Sequence, residues 1–236
     1  QVAAVAGHAY VANEHANIIT RMQAARYFIA FKAFKATESL FGSVTCCSGC
    51  CSAYRRSDLV GIIDQWLAQS FMGVKCTYGD DRSLTNFLLF KVKKTLFAPS
   101  AVSYTFVPDT FGKFMRQQQR WKKSWVRESF RAGGFIWRRH PLMALSFYLA
   151  TILPLIAPVV AVRALILFPL KTGTFPFFYI FGLLLITLIY GLYYRIHARG
   201  QSWVIASFAA IFYNLILMWQ LPWAILTLRD SRWGTR

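Results

Sequence analysis

Acidic residues are scarce: nine Asp and Glu stand against 27 Lys and Arg in 236 residues, a formal net charge of +18. Charge of either sign is scarce too, at 15%, while hydrophobic residues reach 56%. Such apolarity excludes a disordered tail, and the modest glycine and proline content excludes a collagen-like or low-complexity chain. A soluble domain rarely joins this apolarity to one-signed charge. Both suit a membrane protein with a basic cytoplasmic face. A basic balance also suits nucleic acid, but the chain lacks any recognised DNA- or RNA-binding motif. No cleavable signal-peptide pattern is present, and Gln1 is not an initiator Met, so a fragment or processed product is expected.

The acids are also unevenly spread. Only Asp230 lies beyond Glu128. Up to about Pro108 the chain mixes short strand and helix patterns, and from about Pro141 it turns to long apolar blocks. The first block, about Leu142 to Leu170, is interrupted only by Arg163. The second, Phe175 to Tyr194, and the third, Trp203 to Leu228, carry no charge. Each reaches the roughly 20 residues needed to cross a bilayer core. Arg138, Arg139 and His140 precede block one, Lys171 follows it, and Arg195, His197 and Arg199 follow block two. The positive-inside rule places Lys171 outside and the other clusters in the cytoplasm. Arg229, Arg232 and Arg236 also read as inside, so block three is expected to be re-entrant or interfacial. Pro222, Asn214 and Gln220 favour that over a complete third span.

Between the halves, Phe111 to Trp137 mixes Lys113, Arg116, Arg120, Lys122, Lys123, Arg127 and Arg131 with Phe114, Trp121, Trp125 and Phe130. Such a basic, Trp-rich amphipathic stretch lies well at a membrane interface. Before it, Gln1 to Asn13 reads as a strand and Ile18 to Leu40 as a helix on a sheet. Ser43 to Tyr54 reads as strand, tight turn and return. Ser57 is expected to cap a helix to about Gln69, Asp80 to open one to about Lys94, and short strands to follow, broken at Pro99. Alternating strands and helices predict an α/β layer joined to membrane helices.

Four stretches can carry chemistry. Cys46, Cys47, Cys50 and Cys51 could in principle bind a metal, but they crowd into six residues without the second pair of a tetrahedral site, and read better as small thiols lining a pocket. Gly79-Asp80-Asp81-Arg82 places two acids at a loop-to-helix transition, able to supply a general base. Gln117, Arg120 and Trp121 fall at helical spacing, grouping an amide, a guanidinium suited to diphosphate and an indole suited to a sugar face. Trp233-Gly234-Thr235-Arg236 follows the last apolar block.

In this order, the Ser48-Gly49 turn with Tyr54-Arg55, Gly79-Asp80-Asp81-Arg82 with Leu84-Thr85-Asn86, Gln117-Gln118-Gln119-Arg120-Trp121 and the Trp233–Arg236 tail resemble the processive membrane-bound family-2 glycosyltransferases. The chain is most similar to hyaluronan synthases, with chitin and nodulation chitooligosaccharide synthases a close second. The resemblance implies the C-terminal part of a cytoplasmic GT-A-like catalytic domain over 1–109 and interface helices over 110–140. Membrane segments follow over 141–228, then a gating-loop-like tail over 229–236.

By the same resemblance the protein polymerises sugars from UDP-sugar donors by an inverting transfer and exports the polymer. The hyaluronan type uses UDP-N-acetylglucosamine and UDP-glucuronic acid; a chitin-type enzyme uses UDP-N-acetylglucosamine alone. A non-catalytic basic membrane adaptor or pore subunit is the reading from another class. Asp81 matches the general base, supported by Asp80 and Arg82. Gln117, Arg120, Trp233, Thr235 and Arg236 match donor diphosphate-binding groups, and Trp121, Cys47, Ser48 and Gly49 match the acceptor site. Mg²⁺ or Mn²⁺ is implied in the complete enzyme with ligands outside this chain, since no Asp-x-Asp occurs in it, and the fragment alone is expected to be inactive. Hyaluronan synthases usually carry Pro where Cys50 stands and His where Ser83 stands, which leaves the sugar open. The implied place is the plasma membrane, multi-pass, catalytic part cytoplasmic, in contact with lipid and not with nucleic acid.

If block three re-enters, topology reporters at Thr172 and after Arg236 will lie on opposite faces. Finding both outside overturns the charge-parity assignment.

Overall fold

The computed structural model describes residues 1–198 and 203–230. Strand β1 (Val2–Val11) is built almost wholly of Ala, Val and Gly and is buried on both faces, as a central strand must be. Helix α1 (Ile18–Ile29) starts at Asn17, whose side chain accepts from the Thr20 amide while the Thr20 hydroxyl accepts from the Asn17 amide. This capping box ties off two free amides. The helix runs on through a π-helical stretch, Ala30–Lys35, into α2 (Ala36–Leu40), so the amphipathic pattern from Ile18 to Leu40 is one rod with a local bulge. The segment 43–51 is not the expected strand: it forms one bridge, Ser43 to Thr95, and then a loop into β2 (Ser52–Tyr54).

Two short helices, α3 (Arg56–Val60) and α4 (Ile63–Leu67), replace the single helix expected from Ser57, because the chain turns at Gly61. A small hairpin, β3 (Ser70–Phe71) and β4 (Val74–Lys75), leads to α5 (Asp80–Phe90), which stops four residues short of Lys94. Strand β5 (Lys94–Thr105) completes a sheet of order β2-β1-β5, antiparallel on one side of β1 and parallel on the other. The predicted break at Pro99 is a bulge within one strand: Gly7 pairs with Ala98 and His8 with Val102, and the intervening residues loop out. Proline cannot donate to a ladder, so the bulge removes that demand. Only a glycine fits opposite, since a Cβ on Gly7 would lie 2.5 Å from the Ala101 carbonyl oxygen.

Helix α6 (Phe111–Gly133) lies against α5. Its rotation is set by a buried charged cluster. Glu128 accepts from Arg127 Nε at 2.7 Å, Arg131 at 3.0 Å and Asn86 of α5 at 3.0 Å. Arg127 also donates to the Tyr78 carbonyl at 2.6 Å, and Arg131 to Gln69 and the Ser70 carbonyl. Buried charges persist where they are paired and fully hydrogen-bonded, as here. Arg139 then bonds Ser43 Oγ and the carbonyls of Gly42 and Lys93, fastening the first membrane helix to the domain.

That helix is α7 (Pro141–Val162), continued by a π-helical stretch and α8 (Phe168–Thr172); α9 (Phe177–Ala198) returns. The described residues hold three helical stretches long and apolar enough to cross a membrane, Pro141–Thr172, Phe177–Ala198 and Trp203–Leu226. The third is not straight. It divides into α10 (Trp203–Leu215) and α11 (Gln220–Leu226) at a 3₁₀ turn, Leu217–Trp219. Helix α10 packs on α9 and on α1, and α11 packs along α6. Phe212 and Tyr213 meet Phe114 of α6 at ring distances of 6.2 and 6.3 Å. At the break, Lys122 Nζ donates to the freed Leu217 carbonyl and to Gln220 Oε1, and Gln220 donates back to the Met115 carbonyl.

Burial, reinforced by Arg26, lowers Lys122 from 10.5 to about 8. Between those values the unfolded chain holds a proton that the folded one has released, so stability rises with pH through this window. Unfolding of the detergent-solubilised protein will therefore show the wild type gaining on Lys122→Met from about pH 7 to about pH 9.5. Parallel pH profiles would remove the desolvated lysine from the account of the break.

Candidate active site

The site is organised by the start of α5. Gly79 takes a left-handed conformation, φ 76°, and lets the chain enter the helix against α6. A Cβ there would fall 1.9 Å from Ser124 Oγ, so glycine is required both by dihedral and by space. Asp80 and Asp81 then occupy the first turn, where exposed amides and the helix dipole favour a carboxylate.

Asp81 is held from the opposite side by the turn that carries the cysteines. Its Oδ2 accepts from the Gly49 amide at 3.3 Å and from Cys46 Sγ at 3.7 Å. The turn is tied to α5 in turn. Cys47 donates its amide to Thr85 Oγ1 at 2.9 Å, and the Thr85 hydroxyl donates to the Asp81 carbonyl at 2.7 Å. Tyr54 donates to the Cys47 carbonyl at 3.0 Å, and buried Lys35 reaches Ser48 Oγ from below, its ammonium also over the Phe31 ring. Cys47, Ser48 and Gly49 are thus brought to Asp81.

Arg120 also lies in the field of both aspartates. Burial lowers its pKa, opposed by Asp81, Asp80 and Tyr27. Asp80 is raised by burial and by Asp81 beside it, with Arg127 and Arg120 pulling the other way. The Arg82 charge bears on half-buried Glu38 and on Cys46. Glu38 itself is raised by burial and accepts from the Thr45 amide and hydroxyl.

The QxxRW residues do not share one wall. Trp121 is 39% exposed and faces Tyr27 of α1 at a ring distance of 6.1 Å. Gln117 has a buried Oε1 with no hydrogen-bond partner among the described residues, and it does not line the cavity that Arg120 lines. That cavity, of about 700 Å³, lies between α6 and the broken third block. Arg116, Arg120 and Lys123 give it a cationic side, and Trp219, Trp223 and Tyr78 an aromatic one. Asp230 reaches it and pairs with Lys123 at 3.4 Å. Trp233, Thr235 and Arg236 lie outside the described residues.

The cysteines diverge. Cys46 turns to Asp81, Cys47 is buried, Cys50 is exposed and Cys51 turns to the Ala101 carbonyl. Among the described residues no three His, Cys, Asp or Glu side chains are grouped to hold a metal. Sequence reading missed Tyr27 and Lys35. Tyr27 reads in sequence as one more aromatic on a helical face, and only the third dimension brings Tyr27 to the indole and Lys35 to the turn.

The site joins a held carboxylate, a guanidinium and an exposed indole beside helices long and apolar enough to cross a membrane. The chain resembles the membrane-bound family-2 glycosyltransferases. Residues 1–69 match the chitin synthase family model. An N-acetylglucosaminyltransferase of Rhizobium meliloti (strain 1021) is 32% identical over all of this chain and 55% of its own length. One of Neorhizobium galegae is 30% identical over all of the chain and 54% of its own. Hyaluronan synthase 1 of Xenopus laevis is 30% identical over 98% of the chain and 39% of its own. The chain thus spans about half the length of the rhizobial relatives, and these identities do not separate the two kinds of synthase.

Replacing Gly79 by Ala forces the left-handed residue to carry a Cβ, at about 1–2 kcal/mol, and drives it into Ser124. Gly79→Ala in the full-length protein will lose sugar transfer while remaining membrane-inserted, and adding Ser124→Gly will restore part of it. Unchanged transfer in Gly79→Ala would show that α5 and α6 need not approach this closely.

Proposed function

We propose that this chain is the acceptor-side catalytic portion of a processive, inverting polysaccharide synthase. The observation that carries the reading is Asp81, fixed between the Gly49 amide and Cys46 in the same corner as Arg120 and near the exposed Trp121. The acceptor sugar stacks on Trp121. Asp81 takes the proton from its hydroxyl as that oxygen attacks the anomeric carbon of the UDP-sugar. The bond to UDP breaks from the opposite face, so the configuration inverts, and UDP leaves with the bonding electron pair. Asp80 and Arg82 support Asp81, while Gln117, Arg120, Trp233, Thr235 and Arg236 are assigned to the diphosphate side and the closing of the site. Fixed cations stabilise the charge that develops on UDP without reorganising during the reaction.

The donors are UDP-N-acetylglucosamine with UDP-glucuronic acid, giving a hyaluronan-type polymer. The second reading is a chitin or chitooligosaccharide synthase using UDP-N-acetylglucosamine alone, favoured by the similarity to rhizobial N-acetylglucosaminyltransferases. Mg²⁺ or Mn²⁺ is assigned to the rest of the enzyme, since this sequence carries no Asp-x-Asp. The polymer leaves through the protein's own membrane helices, with the catalytic part in the cytoplasm and the enzyme in the plasma membrane. The packing of α10 on α1 and of α11 on α6 supports an interfacial third block.

The test uses the full-length protein in membrane vesicles with radiolabelled UDP-N-acetylglucosamine, with and without UDP-glucuronic acid. Polymer requiring both donors identifies the hyaluronan type, and polymer from one donor the chitin type. Asp81→Asn will reduce transfer at least about a hundredfold with insertion intact. Near-normal activity in that variant would move the base elsewhere. No product from any UDP-sugar would favour the non-catalytic membrane adaptor.

A further inference from the structure

Tyr27 has no part in the scheme above, yet it stands at the centre of its geometry. It sits on α1, half-buried, with Phe31 behind it at 6.1 Å between rings and Trp121 in front at 6.1 Å, the two planes inclined by 45°. Burial raises its phenol above the ordinary 10.0; Cys50 and Asp81 add to the rise and Arg120 opposes it. The turn, α5 and α6 thus each place a group whose charge bears on the ring, as does Tyr213 of α10. The phenol stays protonated across the physiological range and so remains a hydrogen-bond donor. No hydrogen bond to its hydroxyl occurs among the described residues.

A sugar ring has an apolar face and a polar rim. An indole floor holds the face but not the rotation of the ring upon it. Transfer needs one particular hydroxyl within roughly 3–3.5 Å of its target carbon and aligned with the base. A second wall, from a different helix and ending in a donor, supplies that stop. The wall is rigid here, because α1 is capped by Asn17 and backed by buried Phe28 and Phe31.

We propose that Tyr27 is an acceptor-positioning residue, forming with Trp121 a two-walled aromatic corner that holds the terminal sugar of the growing polymer and donates its hydroxyl to the rim of that sugar. The proposal rests on the glycosyltransferase reading and names how its acceptor side sets alignment. Misaligned acceptor leaves the donor to react with water instead: the sugar–UDP bond breaks, water supplies the oxygen, and free sugar and UDP form.

The experiment compares full-length wild type, Tyr27→Phe and Tyr27→Ala in vesicles, measuring UDP released against sugar incorporated and the length of the product. Tyr27→Ala is expected to keep UDP release while incorporation per UDP falls about tenfold and chains shorten, since small misplacements cost transfer steeply. Tyr27→Phe keeps the wall and the packing, so it tests the hydroxyl even where the Ala variant fails to fold. It is expected to show the same uncoupling in weaker form. Wild-type coupling and product length in Tyr27→Phe overturn the hydroxyl's role. A parallel loss of UDP release and incorporation in both variants makes Tyr27 a packing residue and overturns the proposal. A wild type that makes no polymer from any UDP-sugar overturns the underlying transferase reading instead, a result distinct from either.

Discussion

The close approach of α5 to α6 is the constraint on which the site depends. Gly79 leaves no room for a side chain between itself and Ser124, and Glu128 spans the same interface to Asn86. Removing one partner of such a buried charged group costs about 3–5 kcal/mol, because the remaining charges stay buried without compensation. The cluster therefore fixes the rotation and axial position of α6. Since Asp81 lies at one end of α5 and Arg120 and Trp121 on α6, their relation is set by a joint behind the site rather than by contacts within it. A catalytic centre facing a charged, mobile substrate gains from such remote support, because its own polar groups remain available.

A second joint connects this centre to the membrane. Lys122 meets the backbone where the third apolar block breaks, and α11 then runs along α6 to bring Asp230 to Lys123. A break in an apolar helix frees carbonyls that lipid cannot satisfy, so such breaks persist only where protein supplies donors. The lysine does so at a cost in its own hydration, visible as its lowered pKa. One helix thereby carries both Arg120 and Trp121 and the support of the break, and a shift of either is felt by the other.

Much of this was legible in order but not in depth. The three apolar blocks, the rod from Ile18 to Leu40 and the helix from Asp80 follow from periodicity, because burial stripes at 3.6 residues are local facts. The segment 43–51 misled, since its small alternating residues suit a strand, while Gly42 and the Thr85 and Tyr54 hydroxyls hold it as a loop. Pro99 misled in the other direction, its break being absorbed as a bulge opposite Gly7. Asp81 and Trp121 could be singled out in the sequence because their motifs are contiguous. Tyr27 and Lys35 could not, because each acts on residues distant in sequence and looks from its own helix like an ordinary packing position.

The two departures from the hyaluronan synthase pattern act differently once placed. Ser83 is fully buried and accepts from Trp66 and from Gln69, each at 2.9 Å, on the side of α5 that faces α4 and the hairpin. A change there alters how α5 is braced and presents no atom to a sugar. Cys50 is exposed and follows Gly49, whose amide holds the Asp81 carboxylate. Proline at that position would restrict the backbone directly beside the Asp81 carboxylate, and cysteine leaves it freer. The difference between this chain and that pattern therefore falls on the stiffness of the turn that aims Asp81. Sugar preference must come from groups that touch the ring and its substituents, which neither Ser83 nor the backbone of Cys50 does.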